Sequence, residues 1–286
     1  MNVDVVGDVH GQFDKLVRLL SRLGYSQSRG IWRHPKRTAV FVGDLIDRGP
    51  KQLATVELVR GMVEAGAAQC ILGNHEYNAI AWAMPDPMRP GRFLRDHDAP
   101  GNRPLHQGFL NEIGEGSQGH RAIIAWFMSL PLWLDFGGVR VVHACWHQAS
   151  IDALKPLLGP NQSMTEESLR MSGQKGHWVQ EAVSIVCKGP EIGSNDSTPP
   201  RDDYGELPQE IRLQWWHADA SASAQRRRSG YCGPPVIFGH YWFAGEPAVI
   251  SPKFACLDYS VASDGPLVAY RWDGESELSS AKIVWV

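Results

Sequence analysis

The sequence predicts an α/β fold, and two observations carry that prediction. Over the first 80 residues, short β-branched runs alternate with segments of helical periodicity, the pattern of βαβ units around a largely parallel sheet. Each of the three runs also ends in a glycine followed by polar residues: Gly7-Asp8, Gly43-Asp44 and Gly73-Asn74. In open α/β sheets ligands bind just beyond the carboxyl ends of strands, and here three such ends carry metal-type side chains.

The elements follow in order. Val3-Asp4-Val5-Val6 reads as a strand, and Phe13 to Leu23 carries apolar residues at 13, 16, 17, 19, 20 and 23, which is helical spacing. Thr38 to Val42 is a second strand and Leu53 to Val63 a second amphipathic helix. Cys70-Ile71-Leu72 is a third strand, with a helix over Glu76 to Trp82. Met84 to Pro104 then breaks the pattern with five Pro and four Arg. It is either a cleft-covering loop or an inert insertion. Leu130 to Val142 reads as strand structure leading into His143, Ile151 to Val186 as mostly helical, and Lys188 to Glu206 as a loop. Five β-runs close the chain: Val236-Ile237-Phe238, Ala248-Val249-Ile250, Phe254 to Leu257, Leu267 to Trp272 and Ile283 to Val286. The expectation is one domain over 1–286 with insertions at 84–120 and 150–230.

Composition bounds the function. With 43% hydrophobic and 21% charged residues in a chain of 286, disorder, collagen and coiled coil are excluded. The balance of 28 basic and 31 acidic residues leaves −3, which gives a nucleic-acid partner no electrostatic support. The start Met1-Asn2-Val3-Asp4-Val5 has no basic region followed by an apolar stretch. The most apolar segment, Ala122 to Leu134, falls short of the roughly 20 residues that span a bilayer, so no membrane association is expected. Cysteines 70, 145, 187, 232 and 256 are odd in number and far apart, which argues against a disulfide framework or a zinc knuckle. A reducing cytoplasm is the expected compartment.

Three fragments carry chemistry: Gly7-Asp8-Val9-His10-Gly11, Gly43-Asp44-Leu45-Ile46-Asp47-Arg48-Gly49 and Gly73-Asn74-His75-Glu76. Four fixed positions in the first alone arise by chance on the order of 10⁻⁵ or less per start site. Glycine turns with Asp and Asn capping helices would explain one fragment, not three in order after three strands. Asp8 and His10, two apart in extended chain, point the same way and can chelate one ion. Asp44 can bridge two ions with its two oxygens, and Asn74 offers a neutral carbonyl oxygen. His143 and His240, each after a later strand, could complete a second ion. Mixed Asp, Asn and His donors suit Mn²⁺, Fe or Zn²⁺ better than Mg²⁺ or Ca²⁺. Two such cations lower the pKa of a bridging water to near neutrality and clamp phosphoryl oxygens for in-line attack. Arg48 can meet the charge growing on those oxygens. His75 can protonate a leaving alkoxide if a carboxylate such as Asp47 supports it.

In these motifs and their order the chain resembles the calcineurin-like metallophosphoesterases and, within them, the phosphoprotein phosphatase group. The likeness runs from Met1 to about Tyr270. It implies a central β-sandwich with helices on both faces. It implies Asp8, His10 and Asp44 on the first metal, and Asp44, Asn74, His143 and His240 on the second. His75 is then the general acid, Asp47 its orienting partner and Arg48 a phosphate ligand. The chain departs from many relatives at His143-Ala144-Cys145-Trp146, where they have His-Gly-Gly, and at Tyr241-Trp242 after His240. For the group's second phosphate-binding arginine, Arg212 and the run Arg226-Arg227-Arg228 are candidates. The closing segments Ala255 to Ser260 and Pro266 to Ala269 look more like bacterial dinucleoside tetraphosphatases than eukaryotic protein phosphatases.

Other features have plainer uses. Trp215-Trp216 reads as core, whereas Trp146 and Trp242 adjoin two expected ligands and could line the cleft. Cys145 is expected to pack, and His147 to lie beside the site or on the surface. The expected function is hydrolysis of phosphomonoesters by two divalent ions, Mn²⁺ first among them, in the manner of a Ser/Thr protein phosphatase acting on a phosphoprotein. The runner-up is symmetrical cleavage of diadenosine tetraphosphate, a nucleotide substrate. A catalytically silent metal-binding scaffold is the alternative from another class, and the proton donor His75 speaks against it.

Overall fold

A computed structural model of the chain describes residues 2–193, 210–217 and 231–286. Strand β1 (Val3–Val6) is buried along its length and delivers the chain to Gly7. Helix α1 (Phe13–Arg22) buries Leu16, Leu19 and Leu20, and each such side chain taken out of water contributes about 1.5–3 kcal/mol. A hairpin of β2 (Ser26–Ser28) and β3 (Ile31–Arg33) then precedes β4 (Thr38–Phe41). The sequence does not announce it, because β2 is exposed and has no apolar period. Helix α2 (Gln52–Glu64) and β5 (Ala68–Cys70) follow, and α3 (Asn74–Ala83) starts two residues before its apolar spacing does.

Residues 84–101 hold no helix or extended strand, yet they are tied down: Leu94 and Arg95 donate backbone hydrogen bonds to the Met84 and Ala81 carbonyls. Helices α4 (Asn102–Ile113) and α5 (Gln118–Met128) come next. The run from Leu130 divides into a hairpin of β6 (Trp133–Asp135) and β7 (Arg140–Val142). The mostly helical segment resolves into α6 (Gln148–Leu154), α7 (Glu166–Ser172) and α8 (Trp178–Lys188). Beyond it β8 (Glu191–Gly193) pairs with β9 (Glu210–Arg212). The loop expected over 188–206 therefore begins with the last residue of α8 and contains strand β8, and its remainder from 194, like Arg226-Arg227-Arg228, lies outside the described residues. Of the five closing runs, four become β10 (Val236–Phe238), β11 (Phe254–Cys256), β12 (Val268–Trp272) and β13 (Ile283–Trp285). Ala248-Val249-Ile250 does not: the Tyr259 hydroxyl and Ser280 Oγ take the N–H groups of Ala248 and Val249.

Besides the two-stranded pairs β2-β3 and β8-β9, two larger sheets form among the described residues, ordered β13-β12-β1-β4-β5 and β11-β10-β7-β6. Strands β1, β4 and β5 are parallel, but β12 and β13 add antiparallel, so this sheet is mixed rather than largely parallel. Val3, Val5 and Val40 pack with Val141, Ile237 and Ala255 in one buried cluster between the sheets. The alternate residues Val6, Ala39 and Phe41 join the helices' cluster, as do Val142 and Phe238 of the second sheet. Period-two alternation thus builds a β-sandwich with helices outside. No helix among the described residues is long and apolar enough to cross a membrane.

Candidate metal centre

The site assembles from the loops that leave β1, β4, β5, β7 and β10. His10, Asp44, Asp47, Arg48, His240 and Trp242 all have positive φ, six of the ten non-glycine residues that do among those described. Such backbone costs on the order of 1 kcal/mol or more per residue and collects at functional sites. Two glycines allow close approach. A Cβ on Gly73 would meet Asp44 Oδ1 at 2.3 Å, and one on Gly239 would meet Asp8 Oδ1 at 1.9 Å.

Asp44 is the hub. Its Oδ1 accepts the His75 backbone N–H at 3.0 Å and faces His143 Nε2 at 3.4 Å. Its Oδ2 lies 3.7 Å from His10 Nε2 and 3.8 Å from His75 Nε2. Two groups therefore share it, His10–Asp44–His75 and Asp44–His143–His240, each with ligand atoms within 4.8 Å of one another. Asp8 belongs to neither group; its Oδ2 accepts the His240 backbone N–H at 3.1 Å. Asn74 Oδ1 lies 2.9 Å from His143 Nε2. His10 Nδ1 donates to the Ile46 carbonyl at 2.9 Å and His143 Nδ1 to the Val42 carbonyl at 2.7 Å. Carbonyls only accept, so these bonds turn each Nε2 toward the site.

The buried charges fit a cation. Asp8 Oδ1, His10 Nε2 and His240 Nε2 are buried with no hydrogen-bond partner among the described residues, although nearly all buried polar atoms have one. Burial, then Asp258, pushes the Asp8 carboxyl well above its ordinary range. Burial also opposes the Asp44 carboxylate, but His143 and His75 hold it well below. Burial disfavours a charged His143 as well, yet Asp44 and Asp8 raise it to about 10. Burial, then His75, lowers His10 to about 3, and burial, then Arg212, holds His240 well below its ordinary value, so both imidazoles are neutral donors; the mixed Asp, Asn and His set suits Mn²⁺, Fe or Zn²⁺.

Beside the hub, His75 Nδ1 donates to Asp47 Oδ2 at 2.6 Å. Burial opposes the Asp47 carboxylate, but bonds from His106 and His75 lower it to about 2. His106, on α4, donates to Asp47 Oδ1 at 2.9 Å, a contact with no sequence signal because 59 residues separate the pair. The last residue of the third motif, Glu76, accepts the backbone N–H groups of Asp44, Leu45 and Gly73 at 2.8, 2.8 and 3.1 Å. It ties the second motif to the third. The Arg48 guanidinium sits 4.6 Å from the Trp242 ring centre and that of Arg212 5.0 Å, so Arg212, the candidate for a second arginine among the described residues, shares the Trp242 ring with Arg48.

The remaining features have structural uses. Trp215 and Trp216 are core, and Trp146 is buried with Arg140 over its ring. Trp242 is 37% exposed and lines the site. His147 is the exposed N-cap of α6, accepting the Ser150 N–H. Cys145 is buried, which pushes its thiol up and suits packing rather than attack.

The model of the calcineurin-like phosphoesterase family matches residues 1–240. The asymmetrical bis(5'-nucleosyl)-tetraphosphatase PrpE of Halalkalibacterium halodurans is 47% identical over 76 residues, 26% of this chain and 31% of that one. The protein of the same name from Bacillus velezensis is 41% identical over 149 residues, 50% of this chain and 56% of that one. The chain thus spans little more than half the length of these relatives at most. Among solved structures, the cold-active protein-tyrosine phosphatase of a Shewanella species aligns with a TM-score of 0.55 at 16% identity, over 98% of this chain and 80% of the other. That likeness is one of fold alone. Residues 1–240 hold all three motifs and both later histidines, and by this match the chain belongs to the calcineurin-like phosphoesterase family.

Proposed function

We propose that the protein is a dinuclear metal-dependent hydrolase that cleaves a phosphoanhydride bond of a dinucleoside tetraphosphate. One observation carries the metal-centred part: the two oxygens of a single buried carboxylate, Asp44, are shared between two groups of imidazoles. Asp8, His10 and Asp44 would hold one ion, and Asp44, Asn74, His143 and His240 the other, with Mn²⁺ the first candidate. When bound, the ions supply Lewis-acid polarisation of the phosphoryl oxygens and activation of the attacking water.

The chain's own residues do the rest. Arg48 and Arg212 present guanidinium groups to the equatorial phosphate oxygens, where negative charge grows. His75 delivers a proton from Nε2 to the departing oxygen while Asp47 holds Nδ1 and stabilises the imidazolium.

The substrate class draws support from the tetraphosphatase relatives and from the number of cations. Besides Arg48 and Arg212, the half-buried Lys188 lies close enough for Arg95 and Arg212 to join desolvation in lowering its ammonium. The names of the relatives favour asymmetrical cleavage, to a nucleoside triphosphate and a monophosphate, over the symmetrical cut expected from the closing segments. A second reading, a phosphomonoesterase of the Ser/Thr protein phosphatase kind, is favoured by the His75–Asp47 pair. A serine alkoxide needs a proton donor more than a nucleotide leaving group does. Parallel assays with Mn²⁺ separate the two. Diadenosine tetraphosphate cut to ATP and AMP, with phosphopeptides untouched, supports the proposal; phosphopeptide turnover alone overturns it in favour of the second reading.

A further inference from the structure

We infer that His106 is a positioning residue for the chemistry, locking the Asp47 carboxylate in the orientation that serves His75. The inference rests on the proton-donor role proposed above for His75. Asp47 uses both oxygens: Oδ2 accepts from His75 Nδ1 at 2.6 Å and Oδ1 from His106 Nδ1 at 2.9 Å. A carboxylate rotating about its own bond would break both contacts, so the second bond fixes the first.

His106 is buried, ringed by Trp82 and Phe109 at centroid distances of 5.9 and 5.1 Å, and its Nε2 has no hydrogen-bond partner among the described residues. If the slot needed only filling, a leucine would do so without burying an unpaired nitrogen. The bond to Asp47 is the polar contact that gives this histidine a use. The helix that carries it is also clamped to the Asp47 loop. Glu112 of α4 accepts the Gln52 and Leu53 backbone N–H groups at 2.9 Å each, and Gln52 Oε1 accepts the Asp47 N–H at 2.8 Å. Movement of α4 is therefore movement of Asp47.

The test uses the Mn²⁺-loaded protein with p-nitrophenyl phosphate, whose leaving group needs little protonation, and phenyl phosphate, whose leaving group needs more. His106→Leu should keep its metal content and KM while kcat for phenyl phosphate falls about 10- to 100-fold and kcat for p-nitrophenyl phosphate changes far less. His106→Asn can place its amide donor near Nδ1 and should recover most of the rate; His106→Gln reaches the Nε2 position instead and should not. If the leucine variant fails to fold, the Asn–Gln difference decides. An equal loss on both substrates, no loss, or equal behaviour of Asn and Gln overturns the role of His106. His75→Ala is the control. If it loses both substrates equally, the proton-donor role fails; if it is selective while the His106 variants are not, only the present inference fails.

Discussion

Asp44 Oδ1 faces His143 Nε2 across 3.4 Å, with both side chains sealed from solvent. The opposite oxygen of the same carboxylate faces His10 and His75 at 3.7 and 3.8 Å. One carboxylate thus connects two sets of imidazoles, the arrangement on which the proposed pair of cations rests.

Removing its charge should therefore empty both positions. Asp44→Asn keeps the shape, and the expected outcome is loss of both ions by elemental analysis while circular dichroism stays native. Full occupancy in the variant contradicts the shared role.

Asp8 is tested through its neighbour. A Cβ on Gly239 would sit 1.9 Å from Asp8 Oδ1, so Gly239→Ala must displace that oxygen. Calorimetric titration should show Mn²⁺ bound about 10- to 100-fold more weakly. Unchanged affinity would remove Asp8 from the ligand set.

The two arginines over Trp242 should act on phosphate rather than on metal. Arg48→Ala and Arg212→Ala are each expected to weaken inhibition by inorganic phosphate about 10- to 100-fold, the value of a charge-assisted hydrogen bond. Lysine should restore little, because it lacks the two-pronged donor. Metal content serves as the control and should not move.

The pH dependence of stability follows from Asp47. Its folded carboxyl titrates at about 2 against an ordinary 3.8, so the unfolded chain binds the proton more readily. The stabilisation is present above the ordinary value and is lost as pH falls from there toward 2. In urea unfolding of metal-free protein, Asp47→Asn should be less stable than the parent by about 2 kcal/mol near neutrality. The gap should close in that acidic window, and a gap independent of pH contradicts the assignment.

The parts of the site that the sequence made legible are the ones packed into short motifs. Asp8 with His10, Asp44 with Asp47 and Arg48, and Asn74 with His75 and Glu76 each sit within a few residues at a strand end, where spacing and glycine turns mark them. His143 and His240 were readable only as histidines after β-runs. His106 was not readable, since α4 reaches Asp47 across 59 residues by packing. Arg212 and Trp242 meet through tertiary contact as well. In the fold, the βαβ alternation was plain from β1 to α3. The antiparallel addition of β12 was not, because its partner β1 lies at the other end of the chain and strand direction leaves no local trace.

Titration of metal-free protein with Mn²⁺, following hydrolysis of p-nitrophenyl phosphate, tests the dinuclear centre most directly. The expected result is no turnover without metal and full turnover once two ions per chain are bound. Saturation at one ion, or activity that survives complete chelation, would contradict it.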